Sequence, residues 1–529
     1  MGLPSPTLTR EQIASRILAG ENIVILENKA IRVPPSWLTA HPGGALAILH
    51  YVGRDASDEV SAFHPEATLK RISQYTIGTV ETGEHGWEPL VPPVMSGWVR
   101  RIGADGSKEW HREADAARSS VDTKASPATS ILLVKRDESS GQTAPTLATL
   151  EPGKTSLSPK MQAQHSQAYK ELHKRVTDAG LFQTRYITGY GPEVARYLLL
   201  VTAAAYTYYH KWFLISAAFL GLFWHQVTFA AHDFGHNSVT HNLVIDRLLG
   251  TFIANACGGL SINWWVDNHN IHHLMTNHPS HDPDIQHLPF FAISPVFLTN
   301  LWSSYYKRIM AFDAVANLVL RIQHRLFYVV MSLARFNLFA LSYIFLAKNA
   351  FKSSRFVGGR WWLLMEFGCI GIFWCWYGSV LRGIGNWKTA LLYLLVSNVV
   401  ASPLHVQIVL SHFSRSTADL GPSESFPARQ LRTTSDVICP PEIEFIHGGL
   451  HLQVTHHFFP RLPRHNLRAA SLLVKEFAKE QGLEYAEFGF VEGNGDVIST
   501  LKGVADQVKI VGMVADSHIR EALVDMKHD

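Results

Sequence analysis

Cysteine and charge are both scarce in this sequence. Its four cysteines are too few and too scattered for a disulfide framework or a cysteine-based metal site. Charged residues make up 17% of the 529 residues, against about 25% in a typical soluble protein, and the formal net charge is only +3. The low content of charged residues and the small net charge exclude a disordered or nucleic-acid-binding protein as the main interpretation. Residues 1–10 lack a basic stretch followed by an apolar one, so no signal peptide is expected.

The N-terminal third has the composition of a small soluble domain followed by a connection. Residues 7–82 combine β-type segments with short helical stretches and turn signals, which predicts an α+β unit. Residues 83–165 begin with several prolines and continue with a stretch rich in Ser, Thr, Ala and charge. We expect this second segment to be a connector and flexible tether without an apolar face.

Long apolar segments dominate residues 166–505. A membrane-spanning helix needs about 20 apolar residues, and residues 194–231 hold enough for two spans. Residues 242–265 are apolar but interrupted by Asp246 and Arg247, which favours a segment that dips into the membrane without crossing it. With further candidates at 326–348, 361–380 and 388–410, we expect an all-α integral membrane bundle of about four transmembrane helices, followed by a C-terminal tail at 506–529.

Histidine is abundant, and the first notable pair lies in the N-terminal unit. His41 stands in an HPGG turn, and His64 follows 23 residues later beside Phe63. Two imidazoles on opposite faces of a haem leave the iron no open position, which suits electron transfer. With Trp37 four residues before His41, these residues resemble cytochrome b5. The resemblance implies haem b with His41 and His64 as its axial ligands.

Three more histidine clusters lie beside the apolar segments. Within each cluster the spacing of three or four residues places the side chains on one helix face, and histidine next to membrane spans is usually functional. Seven imidazoles exceed the need of one metal ion and suit a pair, for which iron is a competent choice. The clusters HDFGH, HNIHH and QVTHH supply His232, His236, His269, His272, His273, His456 and His457.

These clusters, in this order and behind a haem domain, resemble the membrane fatty-acyl and sphingolipid desaturases. The resemblance implies that all seven histidines bind two iron ions and that His412, at the end of a span, is an eighth ligand. The acyl-CoA enzymes have Asn four residues before that histidine, where this chain has Ile408. Gln453 replaces the first histidine of the third cluster, as in the "front-end" subfamily, and is expected to be an iron ligand or to lie next to one.

The resemblance extends to fungal Δ8-sphingolipid desaturases, which share the tether and segments similar to FIHGGLHLQVTHHFFPRLPRHNLR. It implies an O2-dependent enzyme that forms a C8=C9 double bond in the long-chain base of ceramides. Electrons would come from NADH through a separate NADH-cytochrome b5 reductase, since no glycine-rich nucleotide motif follows a strand. The expected location is the endoplasmic reticulum membrane, with the haem domain and the histidine clusters facing the cytosol.

Three alternatives stay open at this point. A front-end fatty-acyl desaturase (Δ5 or Δ6) shares every short motif. A lipid hydroxylase fused to cytochrome b5 has similar clusters but is expected to carry His at position 453. An electron carrier anchored in the membrane, with purely structural histidines, is the third alternative and differs in class from the two enzymes.

Overall fold

A computed structural model describes residues 6–102, 108–113, 142–350 and 359–525. The N-terminal unit is α+β, as predicted. Its four-stranded sheet has the spatial order first, fourth, third and second strand, with the outer first strand parallel to the fourth. The strands are Thr7–Leu8, Asn22–Leu26, Lys29–Val33 and Thr76–Val80, and the helices are Arg10–Leu18, Pro35–Ala40, Leu46–Leu49, Ser57–Phe63, Glu66–Ile72 and the 3-10 turn Ser73–Tyr75.

Parts of the connection pack against the N-terminal unit. Trp87 donates from Nε1 to the carbonyl of Gly53 over 2.9 Å, and Leu90 and Leu150 are buried in the core of the N-terminal unit. The described elements of this part of the chain are a strand hairpin and two helices. The hairpin pairs Trp98–Ile102 with Lys108–Arg112, and the helices are Leu147–Leu150 and Pro159–Asp178. Residues 103–107 and 114–141, also part of the predicted tether, lie outside the described residues.

The remainder is mostly helical, as predicted. Its helices are Gly191–Tyr209, Phe213–Gly235, Leu243–Thr251, Ile262–Leu274, Ala314–Leu320, Gln323–Ser332, Ala334–Ala350, Arg360–Gly383, Trp387–Ala401, Pro403–Leu410, Phe426–Thr433, Glu444–His447, Gln453–Phe458, Leu467–Glu480 and Phe490–Asp525. Two π-helical segments, Tyr186–Tyr190 and Phe252–Cys257, and five 3-10 turns, Pro93–Ser96, Pro283–Ile285, Pro295–Thr299, Pro441–Ile443 and Arg464–Asn466, complete the helical elements of the described residues. Two small sheets pair Leu301–Ser303 with Arg308–Met310 and Asp436–Ile438 with Glu487–Gly489.

Three helices in the described residues are long and apolar enough to cross a membrane: Phe213–Gly235, Arg360–Gly383 and Trp387–Leu410. Two bent pairs raise the number to five if each pair is one span. One of them, Leu243–Cys257 with Ile262–Leu274, turns by 112°. It coincides with the segment that the sequence predicts to dip into the membrane, and the predicted total of about four falls within the observed range.

The final helix differs from the predicted boundary between the membrane region and a C-terminal tail. Phe490–Asp525 continues through position 505 without a break, and Val504 and Val508 are both buried in one apolar cluster with Phe327. The helix continues because its apolar residues keep helical spacing past the predicted boundary. Residues 526–529 of the predicted tail lie outside the described residues.

The anchoring of the connection can be tested on Leu90, whose side chain is fully buried. Leu90→Ala should lower the free energy of unfolding of the N-terminal unit by about 2–4 kcal/mol, because a cavity remains in its core. Chemical unfolding of the full chain, followed by circular dichroism and the spectrum of any bound chromophore, measures the change. Leu147→Ala is the matched control, since Leu147 is 51% exposed; equal unfolding midpoints for the two variants would contradict the packing described here.

Candidate haem and metal centres

The N-terminal unit brings the imidazole rings of His41 and His64 close together, with their planes at 45°. Their ring centroids are 6.0 Å apart. Nδ1 of His41 donates to the carbonyl of Gly44 over 3.1 Å, and Nδ1 of His64 donates to the carbonyl of Val60 over 2.9 Å. Nε2 is therefore the atom that each ring can offer to a metal ion, at the usual distance of about 2 Å.

Burial lowers the pKa of both imidazoles and so favours the neutral form that a metal ligand needs. Burial, and then the neighbouring His41, lowers the pKa of His64 to about 4. Burial also lowers the pKa of His41. Neutral rings at this separation fit a haem iron between them, so the pair singled out in the sequence has the geometry of two axial ligands.

The three membrane-side clusters meet at one place, which also includes His412. Phe213–Gly235 supplies the first cluster near its C-terminal end, Ile262–Leu274 supplies the second, and Gln453–Phe458 supplies the third. Their imidazoles form two groups, and within each group the available nitrogen atoms lie within 4.8 Å of one another. The first group is His232, His236, His269 and His456; the second is His272, His412 and His457.

His273 connects the two groups. Its ring stacks on that of His457 with centroids 4.1 Å apart, and it lies 4.8 Å from His236 and 4.7 Å from His456. All eight histidines assigned to iron from the sequence and its resemblance are thus neighbours in space. Gln453 is buried one turn before His456 on the same short helix.

The donor set fits metal ions, because it contains nitrogen atoms that the protein itself leaves unpartnered. Among the described residues, four buried imidazole nitrogens of these groups have no hydrogen-bond partner: His236 Nε2, His273 Nδ1, His456 Nε2 and His457 Nε2. A buried polar atom without a partner is costly. Binding metal ions would remove that cost, and each group could hold one ion with the side chains already present.

In several of these histidines one ring nitrogen, Nδ1, is hydrogen-bonded to an oxygen atom of the protein. Nδ1 of His272 lies 2.9 Å from Oδ2 of Asp282, and Nδ1 of His412 lies 3.2 Å from the carbonyl of Thr433. Such contacts fix the orientation of a ligand and raise its basicity. Asp282 comes from the segment that follows the second cluster, whereas Thr433 acts through its backbone and carries no sequence signal.

Asp233, inside the HDFGH motif, is a further carboxylate beside the first group. It lies 3.3 Å from Nδ1 of His232, accepts a hydrogen bond from Tyr190 over 2.8 Å and pairs with Arg464 at 3.1 Å. Its position next to a cluster histidine is a signal that sequence reasoning could have used. The partners that hold it, in contrast, come from distant parts of the chain.

Gln430 is a site residue that the sequence gives no reason to select. Its Oε1 lies 3.0 Å from Nδ1 of His457, and its Nε2 donates to the carbonyl of His273 over 2.7 Å. Gln430 belongs to the helix Phe426–Thr433, which contains no histidine. It therefore ties the second and third clusters together from a separate element.

Trp265 is an aromatic residue that borders the first histidine group. Its ring stacks on His269 with centroids 4.3 Å apart and lies 5.2 Å from His232 and 5.3 Å from His236. The ring lies against His269 because helical spacing puts residues 265 and 269 on the same face.

Comparison with known proteins agrees with this architecture. The profile of the family described as "Fatty acid desaturase" matches residues 209–489, which include all eight histidines. The profile of the "Cytochrome b5-like Heme/Steroid binding domain" matches residues 12–81, which include His41 and His64. The chain belongs to the fatty acid desaturase family. This desaturase also carries a fused cytochrome b5-like domain, so the two predicted resemblances are confirmed.

Several curated proteins are similar to the desaturase over nearly its whole length. The desaturase is 39% identical to the Delta 8-(E)-sphingolipid desaturase of Emericella nidulans, over 98% of both chains. It is 40% identical to the protein of that name in Komagataella phaffii, over 95% of this chain and 94% of the other. The Delta(8)-fatty-acid desaturase 2 of Arabidopsis thaliana is 30% identical over 95% of this chain and 94% of its own length.

The role of Gln430 can be tested by metal retention. Gln430→Leu should lower the metal affinity of the desaturase by about 10- to 100-fold, since contacts to the second nitrogen of a ligand have effects of that size. Iron per chain, measured by elemental analysis after dialysis against graded chelator, reports the change. Gln226→Leu is the control, because this buried glutamine donates to the carbonyl of Phe445; equal retention in both variants would show that Gln430 does not support the site.

Proposed function

We propose that this desaturase introduces an E double bond between C8 and C9 of the long-chain base of ceramides or related sphingolipids. The observation that carries the proposal is the pair of histidine groups in a membrane protein whose fungal relatives, similar over nearly the full length, are named Delta 8-(E)-sphingolipid desaturases. Overall, one O2, two electrons and two protons are consumed, and the lipid loses two hydrogen atoms as two waters form.

In this proposal His41 and His64 hold haem b, and the eight clustered histidines hold two iron ions. Bound iron supplies the O2 activation and the oxidation of unactivated C–H bonds, which no protein side chain can perform. The protein holds the ligands in place, with Asp282 and Gln430 each fixing one imidazole. Gln453, at the start of the third-cluster helix, completes the site as a ligand or as a close neighbour of one.

The electron source in this proposal is NADH, acting through a separate cytochrome b5 reductase that reduces the haem domain. The proposed location is the endoplasmic reticulum membrane, with the haem domain and the histidine groups on the cytosolic side. One helix supports a location of the haem domain and the histidine groups on the same side of the membrane. This helix, Ile262–Leu274, carries His269, His272 and His273 and also contacts the haem domain.

The names of the Arabidopsis relatives favour a second candidate, a Δ8 desaturase acting on fatty-acyl chains. It would use the same histidines and the same electron source. The fungal relatives are the more similar ones, at 37–40% identity against 28–30%, and they favour the sphingolipid substrate.

Lipid analysis of a yeast host that lacks Δ8 bases tests the two candidates together. Expression of the desaturase should produce a new mono-unsaturated long-chain base and leave the fatty acids unchanged in mass spectra. New unsaturated acyl chains with unchanged bases would transfer the assignment to the acyl substrate. A base heavier by one oxygen would instead identify a hydroxylase and overturn the proposal.

Two variants in the same host test the centres. His457→Ala should abolish the new lipid, because it removes a nitrogen donor from the second group. His64→Ala should abolish both the reduced-haem spectrum and the activity that depends on the fused haem domain. Unchanged lipid product with His457→Ala would refute the metal assignment, and a normal haem spectrum with His64→Ala would refute the axial pair.

A further inference from the structure

The helix Ile262–Leu274, which we call the box-two helix, is shared by the two centres. On one face it carries His269, His272 and His273 toward the metal groups. The residues on the opposite face of this helix contact the haem domain. This second set is Asp267, which lies against Gly44; Asn270, which lies against Gly43; and Ile271 and Leu274, which belong to one apolar cluster with Tyr51 and Val33 of the haem domain.

A buried polar contact fixes the haem domain at this surface. Arg429 donates to Glu59 of the haem domain over 2.9 Å and to the hydroxyl of Tyr51 over 3.0 Å. The Tyr51 hydroxyl in turn donates to the carbonyl of Leu274 over 2.9 Å. The side chains of Arg429 and Glu59 are only 8% and 7% exposed. Because removing one partner of a buried ion pair is costly, this contact favours one docked position.

The helix Phe426–Thr433 connects the contact of Arg429 with the haem domain to the metal groups. Arg429 reaches the haem domain, and the next residue, Gln430, bonds both His457 and the carbonyl of His273. Two neighbouring residues of one helix, Phe426–Thr433, therefore position different parts of the protein. Arg429 contacts the haem domain, and Gln430 contacts two clustered histidines.

Phe63 of the haem domain contacts one of the clustered histidines. It directly precedes His64 in the chain, at the end of the helix Ser57–Phe63. Its ring meets the ring of His273 edge to face, with centroids 6.0 Å apart and planes at 87°. His273 contacts both histidine groups, so the residue next to His64 in the chain touches a histidine at the centre of the metal cluster.

We propose that the haem domain delivers electrons from this docked position and that Phe63 is the positioning residue for the transfer from His64 to His273. This inference rests on the proposed function, in which these histidines hold haem and iron. Each transfer moves one electron: haem iron is oxidised, the metal pair is reduced by the same electron, and the NADH-dependent reductase reduces the haem again. Two such transfers supply the two electrons of one turnover.

Stopped-flow absorbance of the purified full-length holoenzyme tests the role of Phe63. The haem is first reduced by reductase and NADH, and its re-oxidation is then followed after mixing with O2 and ceramide. Phe63→Leu should slow this re-oxidation by about tenfold or more, since loss of a positioning contact has effects of that order. Haem content, iron content and the rate of haem reduction by the reductase should equal those of the wild type.

Tyr75→Leu is the matched control, because Tyr75 is an aromatic of the same domain that packs on Trp37 at 4.3 Å. It should leave re-oxidation unchanged. Wild-type re-oxidation in Phe63→Leu, or equal slowing in both variants, would overturn the inference. The proposed function fails separately: in that case the wild type itself shows no ceramide-dependent haem re-oxidation and no unsaturated base.

A charge exchange tests the docked position without changing Phe63. Glu59→Arg and Arg429→Glu each place like charges in contact and should slow haem re-oxidation, while the haem spectrum stays normal. The double variant restores opposite charges and should recover most of the rate. Wild-type rates in both single variants would show that transfer does not use this docked position; slow singles without recovery in the double variant would equally contradict it.

Discussion

The structure depends on one constraint: eight imidazole rings are packed together, most of them buried, and several of their nitrogen atoms have no partner among the described residues. Unpartnered buried nitrogens are unfavourable unless metal ions occupy the space between them. The surrounding elements satisfy the other nitrogen of several rings, through Asp282, Gln430 and the backbone of Thr433. The helices are therefore arranged around the rings, and the apolar spans support that arrangement from the membrane side.

The box-two helix extends this constraint to the haem domain. Because it has only 13 residues and both of its faces are occupied, the metal groups and the haem domain cannot be positioned independently. A buried ion pair, Arg429 with Glu59, fixes the orientation of the domain, and apolar residues of both parts form one shared core. A fused electron donor thus becomes part of the same packed structure as the site it serves.

Much of this organisation can be predicted from short motifs. HPGG with His64, and three histidine clusters beside apolar segments, are local signals, because helical spacing alone places the residues of each cluster on one face. His412 is predicted through the resemblance to the desaturases, and the structure places it beside the second and third clusters. The packing of the connection and of the C-terminal helix is not encoded in such motifs. Leu90, Leu150 and Val508 become core residues through partners that are distant in the chain.

The sequence by itself determined the residue types, the family and the chemistry, since seven of the eight histidines occur in recognisable local groups. Only the tertiary structure decided how the eight histidines divide into two groups, that Gln430 and Trp265 border them, and that Phe63 of the N-terminal unit contacts His273. These facts depend on contacts between residues far apart in the chain. No local pattern encodes such contacts, because the free energy that selects them comes from packing and from the pairing of buried polar groups.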